Sequence, residues 1–317
     1  MTDATDTPIA RLDAAQACHD DEPARAAALL RGLDPAQLPA ERLPGLAFLL
    51  NHVLGEKFGA WAEAHAGQGA VLAAAGDAPA VVLFRQAAAA AQAAGDGGEA
   101  QRLRGALARA SGAAAQVATD VVALTVAMYR VPTLAPAAAA DCARAALACL
   151  HDDAAAWREA TPLDAAAAAC TNNIASNLVE RPPHELADPA LRVALDDAAR
   201  VAERLWTRAG TWVHRERAAY LRAMVGNALA TAPQAREHAL RALALIDAND
   251  VDDAERVDRA FIELEHAHAC RALGLQAEAE AAQAKAEAIA AAFGDAFLDE
   301  WFARRRAALA ALAAREN

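Results

Sequence analysis

Residues 260–290 read AFIELEHAHACRALGLQAEAEAAQAKAEAIA, and nearly every residue in this stretch favours a helix. Ala has the highest intrinsic helix propensity, and Leu, Glu, Gln and Arg follow it closely. Runs of β-branched residues and strict alternation of apolar with polar residues, which mark strands, are nearly missing from the whole chain of 317 residues. The sequence therefore predicts an all-α protein without a β-sheet.

Turn signals divide the chain into helical segments of roughly 10 to 22 residues. Examples are GDAP at 76–79, GDGG at 95–98 and DANDVDD at 247–253. The connections are short, and short connections between helices produce antiparallel neighbours. We therefore expect a chain of helical hairpins.

Two stretches near the C-terminus resemble the tetratricopeptide repeat, a helix–turn–helix unit of about 34 residues. The best match covers residues 217–293, and its upstream part contains Gly226-Asn227-Ala228. Glu263 and His266 stand where the family has two large apolar residues of its first helix. The residues that carry the resemblance in 260–290 are the small first-helix residue Ala267, the turn glycine Gly274 and the second-helix alanines Ala279 and Ala286.

The resemblance implies a right-handed superhelix of antiparallel hairpins, which is an α–α solenoid with irregular repeats. We expect helical hairpins in residues 1–135 and tetratricopeptide-like repeats in residues 136–317, forming one continuous superhelical unit. The last segment, FGDAFLDEWFARRRAALAALAAREN at 293–317, has the densest aromatic cluster of the chain. A bulky apolar face of this kind is typical of a C-terminal capping helix.

The net charge of −12 argues against two classes of partner. Negative charge repels the phosphates of nucleic acids and the anionic surface of a bilayer. The N-terminal MTDATDTPIARLDAAQ lacks the basic and apolar regions of a signal peptide, and the Ala-rich stretch 113–131 contains Asp120. We expect a cytoplasmic protein that binds neither nucleic acid nor membrane.

The cysteine pattern predicts free thiols. There is no C-x-x-C pair, and a disulfide framework requires paired cysteines in an oxidising compartment. The five cysteines are Cys18, Cys142, Cys149, Cys170 and Cys270.

Alternate helices of a repeat superhelix line its concave face, and here these are predicted at 162–179, 212–230 and 252–273. Each carries polar residues at a spacing of three to four, which places them on one helix face. We expect them to form a groove that holds a protein or peptide segment. The predicted groove residues are Asn173, Asn177, His214, Arg217, Tyr220, Met224, Asn227, Arg259, Glu263 and His266.

Asn173 and Asn177 have two interpretations. Amides donate to and accept from a peptide backbone at once, and the family resemblance implies that Asn and Arg on inner helix faces serve this purpose. Alternatively, Thr171, Asn172 and the two Asn residues bridge neighbouring helices inside the core, as buried amides often do.

An enzyme or sensor is the alternative function. His214, Glu263, His266 and Cys270 would form a metal or thiol centre, and Glu263-x-x-His266 has the spacing found in di-iron helix bundles. No H-E-x-x-H, no G-x-S-x-G and no complete phosphate-binding loop occurs in the sequence. We therefore expect no catalytic residue, no metal and no cofactor.

The remaining signals are weaker. A small-molecule or peptide-pheromone receptor is a third possibility. Related regulators usually carry a helix-turn-helix domain, and we find no basic recognition helix for one in the sequence. In the N-terminal half, His52, Lys57, Trp61 and His65 have a loosely helical spacing that is typical of a surface helix.

Overall fold

The computed structural model describes residues 7–77, 79–150 and 155–316, with side chains described as far as residue 312. Within these residues the chain is helical throughout and contains no strand, which confirms the all-α prediction. The chain divides into two compact units, Met1–Cys170 and Thr171–Asn317.

In the first unit, helices pack mainly against their neighbours in the chain. A π-helix, Leu50–Lys57, continues directly from the third α-helix. The α-helices are α1 (Pro8–Cys18), α2 (Pro23–Arg31), α3 (Leu43–Leu49), α4 (Trp61–Ala74), α5 (Val81–Ala93), α6 (Gly97–Ser111), α7 (Ala115–Arg130), α8 (Pro136–Leu147) and the first part of α9 (Asp164–Val179). Short 3-10 helices lie at Pro35–Gln37, Ala40–Arg42, Val131–Thr133, Ala148–Leu150 and Ala155–Trp157.

The second unit contains the rest of α9 and six further α-helices. Consecutive helices again form the main contacts, especially α11 with α12 and α13 with α14. A 3-10 helix, Glu185–Ala187, precedes α10. The helices are α10 (Pro189–Ala209), α11 (Trp212–Ala228), α12 (Ala232–Asn249), α13 (Arg256–Ala272), α14 (Gln276–Ala290) and α15 (Ala296–Glu316).

The helix predicted at 252–273 begins later in the structure, at Arg256. The carboxylate of Asp250 accepts hydrogen bonds from the backbone N–H groups of Ala254 and Glu255, both at 3.0 Å. These bonds hold a turn where the α-helix would otherwise start, because Asp side chains compete for backbone donors.

Small residues let the helices of the second unit approach closely. A Cβ atom on Gly226 would lie 2.9 Å from backbone atoms of Ala235, so α11 and α12 cross where only glycine fits. Ala267, Ala279 and Ala286 are fully buried. Gly274 has a φ angle of +74° in the turn between α13 and α14, a conformation that glycine adopts without strain.

Among the described residues, no single helix is both long and apolar enough to cross a membrane. The helices Gly97–Ser111 and Ala115–Thr133 reach that length and composition only as a pair, and they are bent by 117°.

Candidate functional site

His214 lies in the first turn of α11 and caps the helix. Its Nδ1 accepts a hydrogen bond from the backbone N–H of Thr211 at 3.2 Å, as in a capping box. Its ring also packs on the ring of Trp206, with centroids 4.3 Å apart. These contacts hold His214 among the residues that begin α11.

Arg217 connects α11 to the start of α13. Its Nε donates to Asp258 Oδ2 at 2.8 Å, and its Nη2 donates to Glu255 Oε2 at 3.0 Å. The Arg217 side chain is 57% exposed, so water screens both ion pairs.

Glu216 lies next to these charges and is completely buried. Neither of its carboxylate oxygens has a hydrogen-bond partner among the described residues. Burial, followed by the charge of the nearby Asp258 carboxylate, raises the pKa of Glu216 to about 8. Below that pH the side chain is a neutral carboxylic acid.

Asn227, which the sequence places in the predicted groove, is buried at the contact of three helices. Its Nδ2 donates to the backbone oxygen of Glu265 at 3.0 Å and to Glu265 Oε2 at 2.7 Å. Glu265 is completely buried and also accepts a hydrogen bond from Arg305 Nε of α15 at 2.5 Å. Asn227, Glu265 and Arg305 therefore cross-link α11, α13 and α15.

The other predicted groove residues have different environments. On α9, Asn173 is exposed and Asn177 is partly exposed, so Asn173 is not a buried core amide. Met224 on α11 is partly buried. Arg259 on α13 pairs with Asp247 at 2.7 Å.

Glu263 and His266 are buried in an ion-pair network between α12, α13 and α14. His266 Nε2 lies 3.1 Å from Glu278 Oε1, and its Nδ1 lies 3.7 Å from Glu263 Oε2. Arg236 Nη2 donates to the same Glu278 oxygen at 2.6 Å, and Lys285 Nζ lies 3.5 Å from Glu263 Oε1. The two residues therefore connect helices and are largely shielded from water.

Cys270 completes the cluster that the alternative hypothesis requires. Its sulfur, His266 and Glu278 offer ligand atoms within 4.8 Å of one another. Burial raises the pKa of Cys270, so the side chain is a protonated thiol and a poor nucleophile. The cation that the Glu278 carboxylate binds here is the guanidinium of Arg236. The structure thus brings Glu263, His266 and Cys270 together, with His214 engaged by Thr211 and Trp206.

The C-terminal helix α15 packs across α13 and reaches α11. Phe302 makes an edge-to-face contact with Phe261, with centroids 5.5 Å apart. Leu309 is buried in the same apolar cluster, to which Tyr220 of α11 contributes. We call the surface under α15 the α11–α13 surface; its residues are Tyr220, Asn227, Phe261, Leu264 and Glu265.

The cover that α15 provides leaves two cavities. One of about 500 Å³ is bordered by His268 of α13, Gln283 of α14 and Arg306 of α15. The other, of about 290 Å³, lies between Asn227, Leu312 and the segment 183–192. The Asn227 Oδ1 atom has no hydrogen-bond partner among the described residues, so one acceptor at the α11–α13 surface is unpaired.

Sequence reasoning missed Glu265, Glu278, Arg236 and Arg305. Their partners lie 12 to 42 residues away in the chain, and helical spacing carries no information about such pairs.

No protein-family model matches the chain, and no curated protein matches it in sequence.

Proposed function

We propose that the second unit is a non-enzymatic, tetratricopeptide-like interaction module that binds a helical segment of a partner protein on the α11–α13 surface. The packing of α15, a helix of the same chain, on that surface is the observation that carries the proposal. Grooves that recognise helices combine an apolar line with a few hydrogen-bonding groups. The α11–α13 surface offers both.

The inner face of α15 defines the chemistry of the partner. Phe302 and Leu309 are buried, and Arg305 pairs with the buried carboxylate of Glu265. With Leu312, these residues follow a spacing of three, four and three, which is one face of a helix. The partner helix therefore carries an aromatic residue, an Arg one turn later and two aliphatic residues beyond it.

Incomplete packing of α15 makes exchange with a partner feasible. Phe297 is 62% exposed and Trp301 is 39% exposed, so the start of α15 buries only part of its apolar surface. The half-open pocket of about 500 Å³ beside α15 also leaves part of the helix facing water instead of α13 and α14. Elements with few buried contacts open at a lower free energy than the whole domain.

The wider setting of the module follows the same evidence. We propose that the hairpins form a right-handed superhelix, in which Asn173 and Asn177 extend the binding surface along α9, and the close crossing of α11 and α12 at Gly226 supports hairpin packing of this kind. The net charge of −12 favours a protein partner over nucleic acid. All five cysteines are free thiols, which supports a cytoplasmic location.

A peptide of residues 295–316 should bind the full-length protein in trans, and it should bind the Phe302→Ala protein about tenfold more tightly than the wild type. The substitution removes the aromatic anchor of the intrachain helix and leaves the α11–α13 surface unchanged. Competition by the intrachain helix then weakens, and the apparent affinity for the peptide rises. Anisotropy of a labelled peptide measures both affinities.

The matched control is the same peptide with Phe302 and Arg305 replaced by Ala, which should lose binding to both proteins. Circular dichroism establishes that the Phe302→Ala protein is folded. Equal affinity for the two proteins, or retained binding of the control peptide, would contradict the proposal.

Replacing Asn173 and Asn177 together with Ala should weaken partner binding by about 1 to 3 kcal/mol and leave stability nearly unchanged. Asn173 is exposed and Asn177 is partly exposed, so both amides are in contact with water before the partner binds. The peptide of residues 295–316, lengthened by a segment that reaches α9, is the probe. A double variant that unfolds several degrees early with unchanged binding would assign both amides to the helix contacts instead.

A further inference from the structure

The first unit brings together two histidines and a carboxylate from separate parts of the chain. His19 is the residue that ends α1, and Asp20 follows it in the turn before α2. His52 comes from the π-helix, which also carries Glu56 one turn later. We call His19, Asp20 and His52 the His–Asp cluster.

A buried amide network holds the π-helix in place. The Asn51 amide donates to the backbone oxygen of Gln86 at 2.9 Å and to Gln86 Oε1 at 2.8 Å. Gln68 in turn donates to Asn51 Oδ1 at 2.9 Å and to the backbone oxygen of Ala47 at 2.7 Å. Tyr129 donates to Gln86 Oε1 at 3.0 Å. The residue before His52 is therefore fixed, which fixes the direction of the His52 side chain.

π-Helical turns are rare in proteins, and those that occur are often at functional sites. The π-helix here is also shaped by its contact with Trp61, because a Cβ atom on Gly55 would lie 2.4 Å from the Trp61 ring. The phenyl ring of Phe48 stacks on the His52 imidazole, with centroids 5.3 Å apart and planes inclined by 10°. His52 is thus held by packing on one side and by the rigid π-helix at its base.

The geometry of the cluster has the features of a metal site. His52 Nε2 lies 3.3 Å from Asp20 Oδ1, and His19 Nδ1 lies 3.2 Å from Asp20 Oδ2. One ligand atom from each residue lies within 4.8 Å of the other two. The other nitrogen of His52, Nδ1, lies 2.9 Å from Glu56 Oε2. A carboxylate on the outer nitrogen of a histidine is the usual device that orients a metal-ligating imidazole.

We propose that His19, Asp20 and His52 bind a divalent first-row transition metal such as Zn²⁺, with Glu56 orienting His52. Imidazole and carboxylate ligands suit this class of ion. Ligand atoms that lie about 2.0 to 2.2 Å from one tetrahedral ion are about 3.3 to 3.6 Å from one another. The separations of 3.2 and 3.3 Å from Asp20 are already close to this range, and the widest separation, within 4.8 Å, has to contract. Three protein ligands at an accessible position leave coordination sites for water or a further ligand.

A second group of possible metal ligands is His266, Cys270 and Glu278. The cation next to the carboxylate in each cluster, Lys57 or Arg236, distinguishes the two. Lys57 Nζ lies 3.4 Å from Asp20 Oδ1, at the end of a flexible side chain that makes a single ion contact with this carboxylate. At His266, Cys270 and Glu278, by contrast, Arg236 donates two hydrogen bonds to the carboxylate. A metal there would have to displace a guanidinium. The His–Asp cluster is therefore the better site.

Calorimetric titration of the full-length protein with Zn²⁺ should give one tight site per chain. Asp20→Asn and His52→Ala should each weaken binding at least about 100-fold, since each removes a ligand. Glu56→Gln should weaken it about 10-fold to 100-fold while keeping all three ligands. Lys57→Met should bind as tightly as the wild type or more tightly, because it removes a competing cation.

The matched controls are His65→Ala, which removes another partly exposed histidine of the same unit, and Cys270→Ser. Both should bind Zn²⁺ as the wild type does. Asp20 is exposed, so Asp20→Asn tests the site even if His52→Ala fails to fold. Co²⁺ should give a spectrum without thiolate-to-metal charge transfer. Loss of binding in Cys270→Ser, unchanged binding in Asp20→Asn, or no stoichiometric site in the wild type would overturn the proposal.

Discussion

Replacing Glu265 with Ala should lower the free energy of unfolding by about 3 to 5 kcal/mol. The carboxylate of Glu265 is the acceptor for both Arg305 and Asn227 in a fully buried position. Its loss leaves the guanidinium of Arg305 without its closest counter-charge in a site from which water is excluded. Urea denaturation followed by circular dichroism measures the change.

Two further variants test whether the stability lost in Glu265→Ala comes from the unpaired buried charge of Arg305. Glu265→Met combined with Arg305→Met should recover most of the stability, because apolar residues of similar size replace a buried ion pair at little net cost. Arg217→Ala should cost less than about 1 kcal/mol although Arg217 pairs with two carboxylates, since its side chain is exposed. Equal effects for Glu265→Ala and Arg217→Ala would show that the Glu265 contacts do not stabilise the fold.

In the proposed complex, the same contacts would decide how well a partner helix competes with α15. Among the four residues of α15 that define the partner pattern, Phe302, Arg305, Leu309 and Leu312, Arg305 is the charged one, and it pairs with Glu265. A partner helix without an Arg at this position would leave Glu265 as an uncompensated buried charge. The ion pair therefore contributes mainly to specificity. It separates the affinities of partners with and without that Arg by more than it raises the affinity of a partner that has it.

Local sequence patterns predict most helices correctly because local chemistry determines them. The helices predicted at 162–179 and 212–230 are observed at Asp164–Val179 and Trp212–Ala228, and His214 caps the start of the second. The start of α13 is displaced because the Asp250 side chain captures two backbone donors. A competing hydrogen bond of this kind is visible only when the turn is folded.

Spacing identifies helix faces, but it does not identify what covers them. Tyr220 and Asn227 were predicted to lie on one polar line of α11, and both contribute to the α11–α13 surface. The cover comes from α15, whose Arg305 reaches Glu265 across 40 residues of sequence. No periodicity links residues so far apart, so the buried state of Asn227 could not be derived from the sequence.

The π-helix shows the same limit in the first unit. The spacing of His52, Lys57, Trp61 and His65 suggested one surface helix, whereas the structure has a π-helix that ends at Lys57 and a separate helix that begins at Trp61. Gly59, with a φ angle of +66°, lies in the break between the two helices, and the π-helix is held by the bond between Asn51 and Gln86, 35 residues further along the chain. Two features of the sequence point to the His–Asp cluster. His19 and Asp20 are adjacent, and Glu56 follows His52 by four residues.

Raising the pH from 5 to 9 should destabilise the wild type relative to Glu216→Gln by about 3 to 4 kcal/mol. The pKa of Glu216 is raised to about 8, chiefly by burial and then by the charge of Asp258, while Arg217 opposes the shift and Glu255 adds to it. Between the ordinary pKa of Glu and pH 8, the native state holds a proton that the unfolded state has released. Stability therefore falls as pH rises through this window and levels off above it.

Glutamine keeps the shape of the neutral carboxylic acid and cannot ionise, so the two proteins should have similar stability at pH 5 and diverge towards pH 9. Urea denaturation at pH 5, 7 and 9 measures the divergence. Glu237→Gln is the matched control, because Glu237 is an exposed residue of the neighbouring helix α12 and its replacement should leave the pH profile unchanged. Parallel profiles for the wild type and Glu216→Gln would mean that Glu216 ionises in the folded protein without penalty, which requires water or a cation at its carboxylate.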